Sequence, residues 1–191
     1  MIIPDLYTWS DADMDIDLAS LRIIHYPDPR LRKVCKPVES FDGFLPRLVE
    51  RMFELMRADE GIGLAAPQVG VLIRLFVCNT TGDPKDGLVV VNPRLTDLAD
   101  PDLSEEGCLS IPEVRGEFLR YANCKLSAQD VMGKAYSLAG HDLAARCWQH
   151  ECDHLDGKLI LDRFSEADKI ANRRKLKQLE ADFKNQKGAR V

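Results

Sequence analysis

The stretch His150-Glu151-Cys152-Asp153-His154 sets two imidazoles four residues apart, with a carboxylate beside the first. On an α-helix, positions i and i+4 share a face, so both rings can reach one metal ion. Glu151 would then stand next to that ion, placed to accept a proton from bound water. The chemistry this predicts is metal-assisted hydrolysis. On a solvated helix face the same residues would do nothing. The rest of the chain must therefore supply a third ligand and a place for developing negative charge.

A catalytic centre of this kind has three protein ligands and one open position. The metzincin pattern requires a His six residues beyond the second, where this chain has Ile160, although Gly157 fills the Gly place between them. A thermolysin-type Glu would have to be Glu166 or Glu180, reaching back from a polar terminal helix. Cys108, His25, His141 and several acids stay open. Of these, only Cys108 lies in an irregular setting, after Gly107 and shortly before Pro112. In Gly61-Ile62-Gly63-Leu64-Ala65-Ala66-Pro67-Gln68-Val69-Gly70, Gln68 is the one polar side chain. Its amide could donate to an oxyanion, or the run is a tight turn packed on the core. It is not a phosphate loop, because no Lys-Ser/Thr follows and the G-x-G-x-x-G spacing is absent.

These residues need elements to position them. Leu143, Cys147, His150 and His154 fall on one stripe of a helix predicted from Asp142 to Asp156 and ended by Gly157, so a metal there would border an apolar pocket. Cys152 faces away from both His and reads as packed core. Leu45, Leu48, Val49, Met52, Phe53 and Met56 predict an amphipathic helix over 41–58, with Asp42 as its cap. Ser165 and Asp168 form a capping box for a last helix reaching about Lys187, whose cluster Arg173, Arg174, Lys175 and Lys177 is basic. Strands are predicted at 71–78, 88–92, 116–121, 123–129 and 134–138, with a short one at 21–24 and a returning one at 158–164. Strands without helices between them imply antiparallel or mixed pairing. The expected fold is thus α+β: antiparallel or mixed β-sheets packed around a central helix carrying the H-E-x-x-H motif, plus a C-terminal helix.

At 191 residues the chain suits one catalytic domain, 21–191, after an N-terminal arm, 1–20, that could dock through Leu6, Tyr7 and Trp9. The net charge of −5 argues against DNA binding, and no apolar run is long enough to span a membrane. The arm is acidic where a targeting peptide would be basic, so the expected address is cytoplasmic. Six Cys without a C-x-x-C pair suggest neither a disulfide scaffold nor a Cys-only zinc site.

Gly61-Ile62-Gly63-Leu64-Ala65-Ala66-Pro67-Gln68, Glu106-Gly107-Cys108-Leu109-Ser110 and Gln149-His150-Glu151-Cys152-Asp153-His154 together resemble the three motifs of peptide deformylases. Pro27-Asp28-Pro29-Arg30-Leu31-Arg32 resembles the segment near that family's N-terminus. The resemblance implies removal of the N-formyl group from the initiator formyl-methionine of nascent peptides, by attack of a metal-bound hydroxide on the formyl carbon. It implies Cys108, His150 and His154 as ligands of one divalent ion, Fe(II) natively, with Zn(II), Ni(II) or Co(II) as substitutes. Glu151 would be the base, and Gln68 with the backbone N–H of Leu109 would hold the oxyanion. The methionine side chain would enter a pocket of Ile62, Leu143 and Cys147 with Glu106 at its edge, while the small wall at Gly63 admits a formyl group. Substrate backbone would pair with Gly61 to Leu64 as an added strand. The likeness also suggests ribosome docking through the C-terminal helix, and a bacterial source or an organellar mature form. A metal-dependent peptidase and a module with a closed structural metal are the competing readings. Glu151 argues against the latter, since a structural site has no use for a base.

Overall fold

The sheet is built in chain order. Strands β1 (Gly63–Ala65), β2 (Leu75–Cys78), β3 (Leu88–Cys108), β4 (Ile111–Gln129) and β5 (Ala135–His141) lie side by side, each antiparallel to the last. The computed structural model describes residues 16–188, so the expected docking of Leu6, Tyr7 and Trp9 falls outside the described residues. Helices α1 (Phe44–Ala58), α2 (Asp142–Leu155) and α3 (Glu166–Gly188) complete the α+β architecture; the five-stranded sheet is antiparallel throughout, and a lone parallel bridge, Lys36 to Ile73, lies outside it.

Alternation along β2 separates two layers. Leu75 and Val77 pack with Leu48, Met52 and Met56 of α1, whereas Phe76 and Cys78 pack with Ala145, Cys147 and Trp148 of α2. A period of two puts these sets on opposite faces, so α1 and α2 sandwich the short end of the sheet. The third cluster joins Ile111, Val114 and Phe118 of β4 to Phe164 and to Leu179 of α3. Burial of such apolar area, worth roughly 25 cal/mol per Å², is the main force holding the helices to the sheet.

The helix ends lie close to their sequence signals. Asp42 stands one residue before the N-cap, Gly43, and its Oδ1 accepts the Phe44 N–H at 2.9 Å, so α1 starts at Phe44 and not at 41. At α3, Ser165 N donates to Asp168 Oδ2 at 3.0 Å and Asp168 N to Ser165 Oγ at 3.2 Å, a reciprocal capping box.

The strands depart further from expectation. Segments 116–121 and 123–129 are one strand, and β3 runs on far past Asn92, because bulges near Val91/Arg94, Thr96/Ala99 and Gly107/Cys108 absorb residues that would otherwise end pairing. Residues 21–24 are not a strand: Ile24 N reaches Gln68 O at 2.8 Å, outside any ladder. Residues 160–163 form a 3₁₀ turn instead of a returning strand, with Asp162 Oδ2 accepting the Leu159 N–H at 2.9 Å. The strand expected at 134–138 runs on as β5 to His141 through Gly140, where a Cβ would lie 2.3 Å from Cζ3 of Trp148, so only Gly lets that ring seat under the sheet.

Candidate metal and catalytic centre

Two elements converge at one end of the sheet. The bulge at Gly107 ends β3 on Cys108, and α2 presents His150 and His154 from adjacent turns. One ligand atom from each of these three residues lies within 4.8 Å of the others, and Cys108 Sγ is 3.2 Å from His154 Nε2. The alternatives left open by the sequence do not join them among the described residues: His25 sits at the cavity mouth near Asp59, and His141 Nδ1 contacts Asn123 Oδ1 at 2.6 Å.

The donors suit a divalent cation. Burial pushes the Cys108 thiol up to about 12, even though N–H groups of Ser110 and Ile111 favour the thiolate, so a thiolate here calls for a positive charge. Burial, reinforced by His150 and Arg120, keeps His154 well below the usual imidazole range and leaves a neutral ring to offer its lone pair. His150 turns Nδ1 toward Glu106 Oε2 at 3.0 Å, which leaves Nε2 for a ligand. One sulfur and two imidazole nitrogens form a donor set that zinc and ferrous iron both accept.

Glu106 is itself firmly held. Arg120 donates from Nε and Nη2 to its two oxygens at 2.9 and 3.0 Å, and Arg146 Nη1 adds a bond to Oε1 at 2.8 Å. Burial alone would raise its pKa, but hydrogen bonds from His150 and Arg120 outweigh it and hold the carboxyl well below the usual range. Glu151 is the opposite case. It is buried, its Oε2 has no hydrogen-bond partner, and burial, with Cys78 and Glu106 adding, holds its carboxyl well above the usual range.

Gln68 is only 1% exposed and its amide is oriented from both ends. Oε1 accepts the Ala65 N–H at 2.8 Å, so Nε2 must point the other way, 3.2 Å from Ser110 Oγ and 3.7 Å from Cys108 Sγ. Gly63 explains how these groups fit: a Cβ there would stand 2.3 Å from Glu151 Oε1 and 2.8 Å from Cys147 Sγ. A Cβ at Gly61 would likewise meet Leu109 Cδ1 at 2.6 Å. Every residue expected at the site lines a single cavity of about 760 Å³, except His154, which is buried behind it. Ile62 and Leu143 are 42% and 47% exposed at the mouth, whereas Cys147 is buried, its Sγ 3.7 Å from Ile62 O.

Arg120, Arg146 and Ser110 were not singled out from the sequence. A signal existed for Arg120: in Phe118-Leu119-Arg120-Tyr121 it shares the inward face with Phe118, while Leu119 points to solvent, 63% exposed. Its inward strand position marks a buried cation, and a buried cation needs anions.

Comparison with known proteins places the chain in one family. The sequence profile described as polypeptide deformylase matches residues 20–170. A peptide deformylase of Hahella chejuensis is 42% identical over 162 residues, covering 84% of this chain and 96% of that protein. Peptide deformylase 1B of Arabidopsis thaliana, chloroplastic/mitochondrial, is 40% identical over 171 residues, covering 88% of this chain and 63% of that protein. The crystal structure of a peptide deformylase from Legionella pneumophila superposes with a TM-score of 0.80 at 41% identity, covering 88% of this chain and 98% of that one.

Proposed function

The chain belongs to the polypeptide deformylase family, and from that premise we propose how its residues remove the N-formyl group from the initiator formyl-methionine of newly made polypeptides. One observation carries the reading: the Cys108, His150 and His154 donors cluster within 4.8 Å, in reach of the cavity where Glu151 presents an unpartnered carboxylate oxygen. Cys108, His150 and His154 would hold one divalent ion, Fe(II) in the native enzyme, with Zn(II), Ni(II) or Co(II) able to replace it. Such an ion, when bound, acidifies water and polarises a carbonyl oxygen.

The chain's own residues do the rest, organised around α2. Glu151, whose burial strengthens its hold on a proton, takes one from water and returns it to the leaving amine. Gln68 Nε2, fixed by the Ala65 N–H at its other end, donates to the oxygen that gains charge, with the Leu109 backbone N–H as the second donor. β1 is the edge of the sheet, so the peptide can add itself as a further strand along Gly61 to Leu64. The methionine side chain then lies against Ile62, Leu143 and Cys147, with Glu106 at the edge of its pocket. The bare backbone of Gly63, where a side chain would collide with Glu151, would form the small wall that admits a formyl group where bulkier acyl groups clash.

We read residues 21–191 as one catalytic domain behind an arm, 1–20, of unassigned role. No helix among the described residues is long and apolar enough to cross a membrane. The compartment we favour is a bacterial cytoplasm, with an organellar mature form as the other setting. Arg173, Arg174 and Lys177 are exposed on α3 and would serve for ribosome docking, whereas Lys175 is engaged with Glu113 Oε1 at 2.6 Å. Deleting α3 is a poor test, because Leu179 belongs to a core cluster. Reversing the charges of Arg173, Arg174 and Lys177 should weaken cosedimentation with ribosomes, and unchanged cosedimentation would refute docking.

The activity is tested by formate release from formyl-Met-Ala under anaerobic conditions, with metal content determined on the same sample. Rapid release with about one metal per chain is expected. A metal-loaded, folded protein that releases no formate would contradict the reading.

A further inference from the structure

Arg120 is 3% exposed, the one fully buried Lys or Arg among the described residues. Its guanidinium joins three elements. From β4 it donates through Nε and Nη2 to both oxygens of Glu106 on β3, and through Nη1 to Asp153 Oδ2 on α2 at 2.5 Å. Asp153 in turn accepts two further donors of Arg163, Nε at 3.0 Å and Nη2 at 2.8 Å. Taking so many charges out of water is costly, and an apolar cluster of the same volume is often as stable, so the network is poorly explained as a device for stability. Its geometry points elsewhere. Glu106 Oε2, which Arg120 Nη2 fixes, is the atom that faces His150 Nδ1.

We propose that Arg120 is a positioning residue for the metal centre: it fixes the Glu106 carboxylate so that His150 donates Nδ1–H to it and presents Nε2 to the metal. This rests on the reading of Cys108, His150 and His154 as the ligands. The grip on Asp153, which lies between the two His in sequence, also fixes the rotation of α2 relative to the sheet. Arg146 provides an internal control. It bonds Glu106 only through Oε1, the oxygen that does not face His150, and its other amino group is tied to Asp102 Oδ2 at 2.9 Å. Orientation of the ring should therefore depend on Arg120 more than on Arg146.

The test uses the full chain loaded with Zn(II) or Co(II), and follows metal release into a chelator together with the visible spectrum of the cobalt form. Glu106→Gln and Arg120→Lys should each release metal about 10- to 100-fold faster, the range seen when partners of metal-bound His are changed. Arg120→Met added to Glu106→Gln should change the rate by less than about twofold, because a residue acting through Glu106 has nothing left to act on. Arg146→Met should release metal more slowly than Arg120→Met. A merely structural role would lower the melting temperature of Arg120→Lys without moving the cobalt bands. The proposal is overturned if folded Arg120→Lys keeps its metal as wild type does, or if the losses of Arg120→Met and Glu106→Gln multiply. Failure of the wild-type chain to retain stoichiometric Zn(II) would appear before any variant is compared, and would overturn the metal site itself.

Discussion

His150 and His154 leave the same helix one turn apart, yet their surroundings are opposites. On the His150 side every charge is matched: Glu106, Asp153 and Asp102 meet Arg120, Arg146 and Arg163. On the His154 side, buried polar atoms are left without partners, namely His154 Nδ1 and Glu151 Oε2. Buried polar groups are ordinarily satisfied, so the contrast divides labour. The braced flank keeps a ligand in place, and the unsatisfied flank keeps a carboxylate reactive. Variants of Glu106 and the arginines that brace it should lose metal; variants of Glu151 should keep metal and lose turnover.

Cys108 belongs to both flanks, and its loss should have the largest effect. Cys108→Ala should be recovered without stoichiometric metal and release formate no faster than chelator-treated wild type; elemental analysis and a formate assay on one sample check both. Full metal occupancy in that variant would erase the division. Gln68→Leu should retain metal but lose roughly 10²- to 10³-fold in kcat, the usual consequence of deleting one oxyanion donor. Equal losses in kcat and in metal content would move Gln68 to the braced side. Gly63→Ala should cost on the order of 10²-fold in kcat with metal retained, because the new Cβ displaces Glu151, and a misplacement of about 1 Å in a reacting group has that effect. The smallest change is expected from Leu143→Ala. Leu143 is 47% exposed, so the preference for formyl-Met over formyl-Ala substrates should fall by only about tenfold or less, read in kcat/KM. An unaltered preference would remove Leu143 from the methionine pocket.

The open flank was legible in the sequence because its residues are consecutive or nearly so. Spacing alone brings His150, Glu151 and His154 together on a helix, and Gln68 stands out among small residues in a run whose second half, Leu64 to Val69, the structure buries. The braced flank was not legible, since Glu106, Arg120, Arg146 and Asp153 meet only through the register of β3 with β4 and the docking of α2. That register pairs Glu106 with Gly116, an assignment that bulges along β3 prevent any count of residues from giving. Helices were anticipated within a few residues because their apolar period and caps are local. Strands were anticipated only in part: Pro93, Pro101 and Pro112 look like terminators, yet β3 and β4 carry them, two in β3 and one near the start of β4. Ile23 and Ile24 have strand-forming side chains, and both are buried, but the single bond to Gln68 O makes them a brace for the Gln68 turn and not a strand. Tertiary context decided each of these cases.

The measurement that tests the account most directly compares anaerobic turnover of formyl-Met-Ala and acetyl-Met-Ala by wild type and Glu151→Ala, with metal content determined on every sample. The account predicts rapid deformylation by wild type, little or no deacetylation, and a loss of at least about 10²-fold in Glu151→Ala with its metal in place. Formyl turnover that survives in a metal-loaded Glu151→Ala would contradict it, because the unpartnered carboxylate would then not be the group that moves the proton.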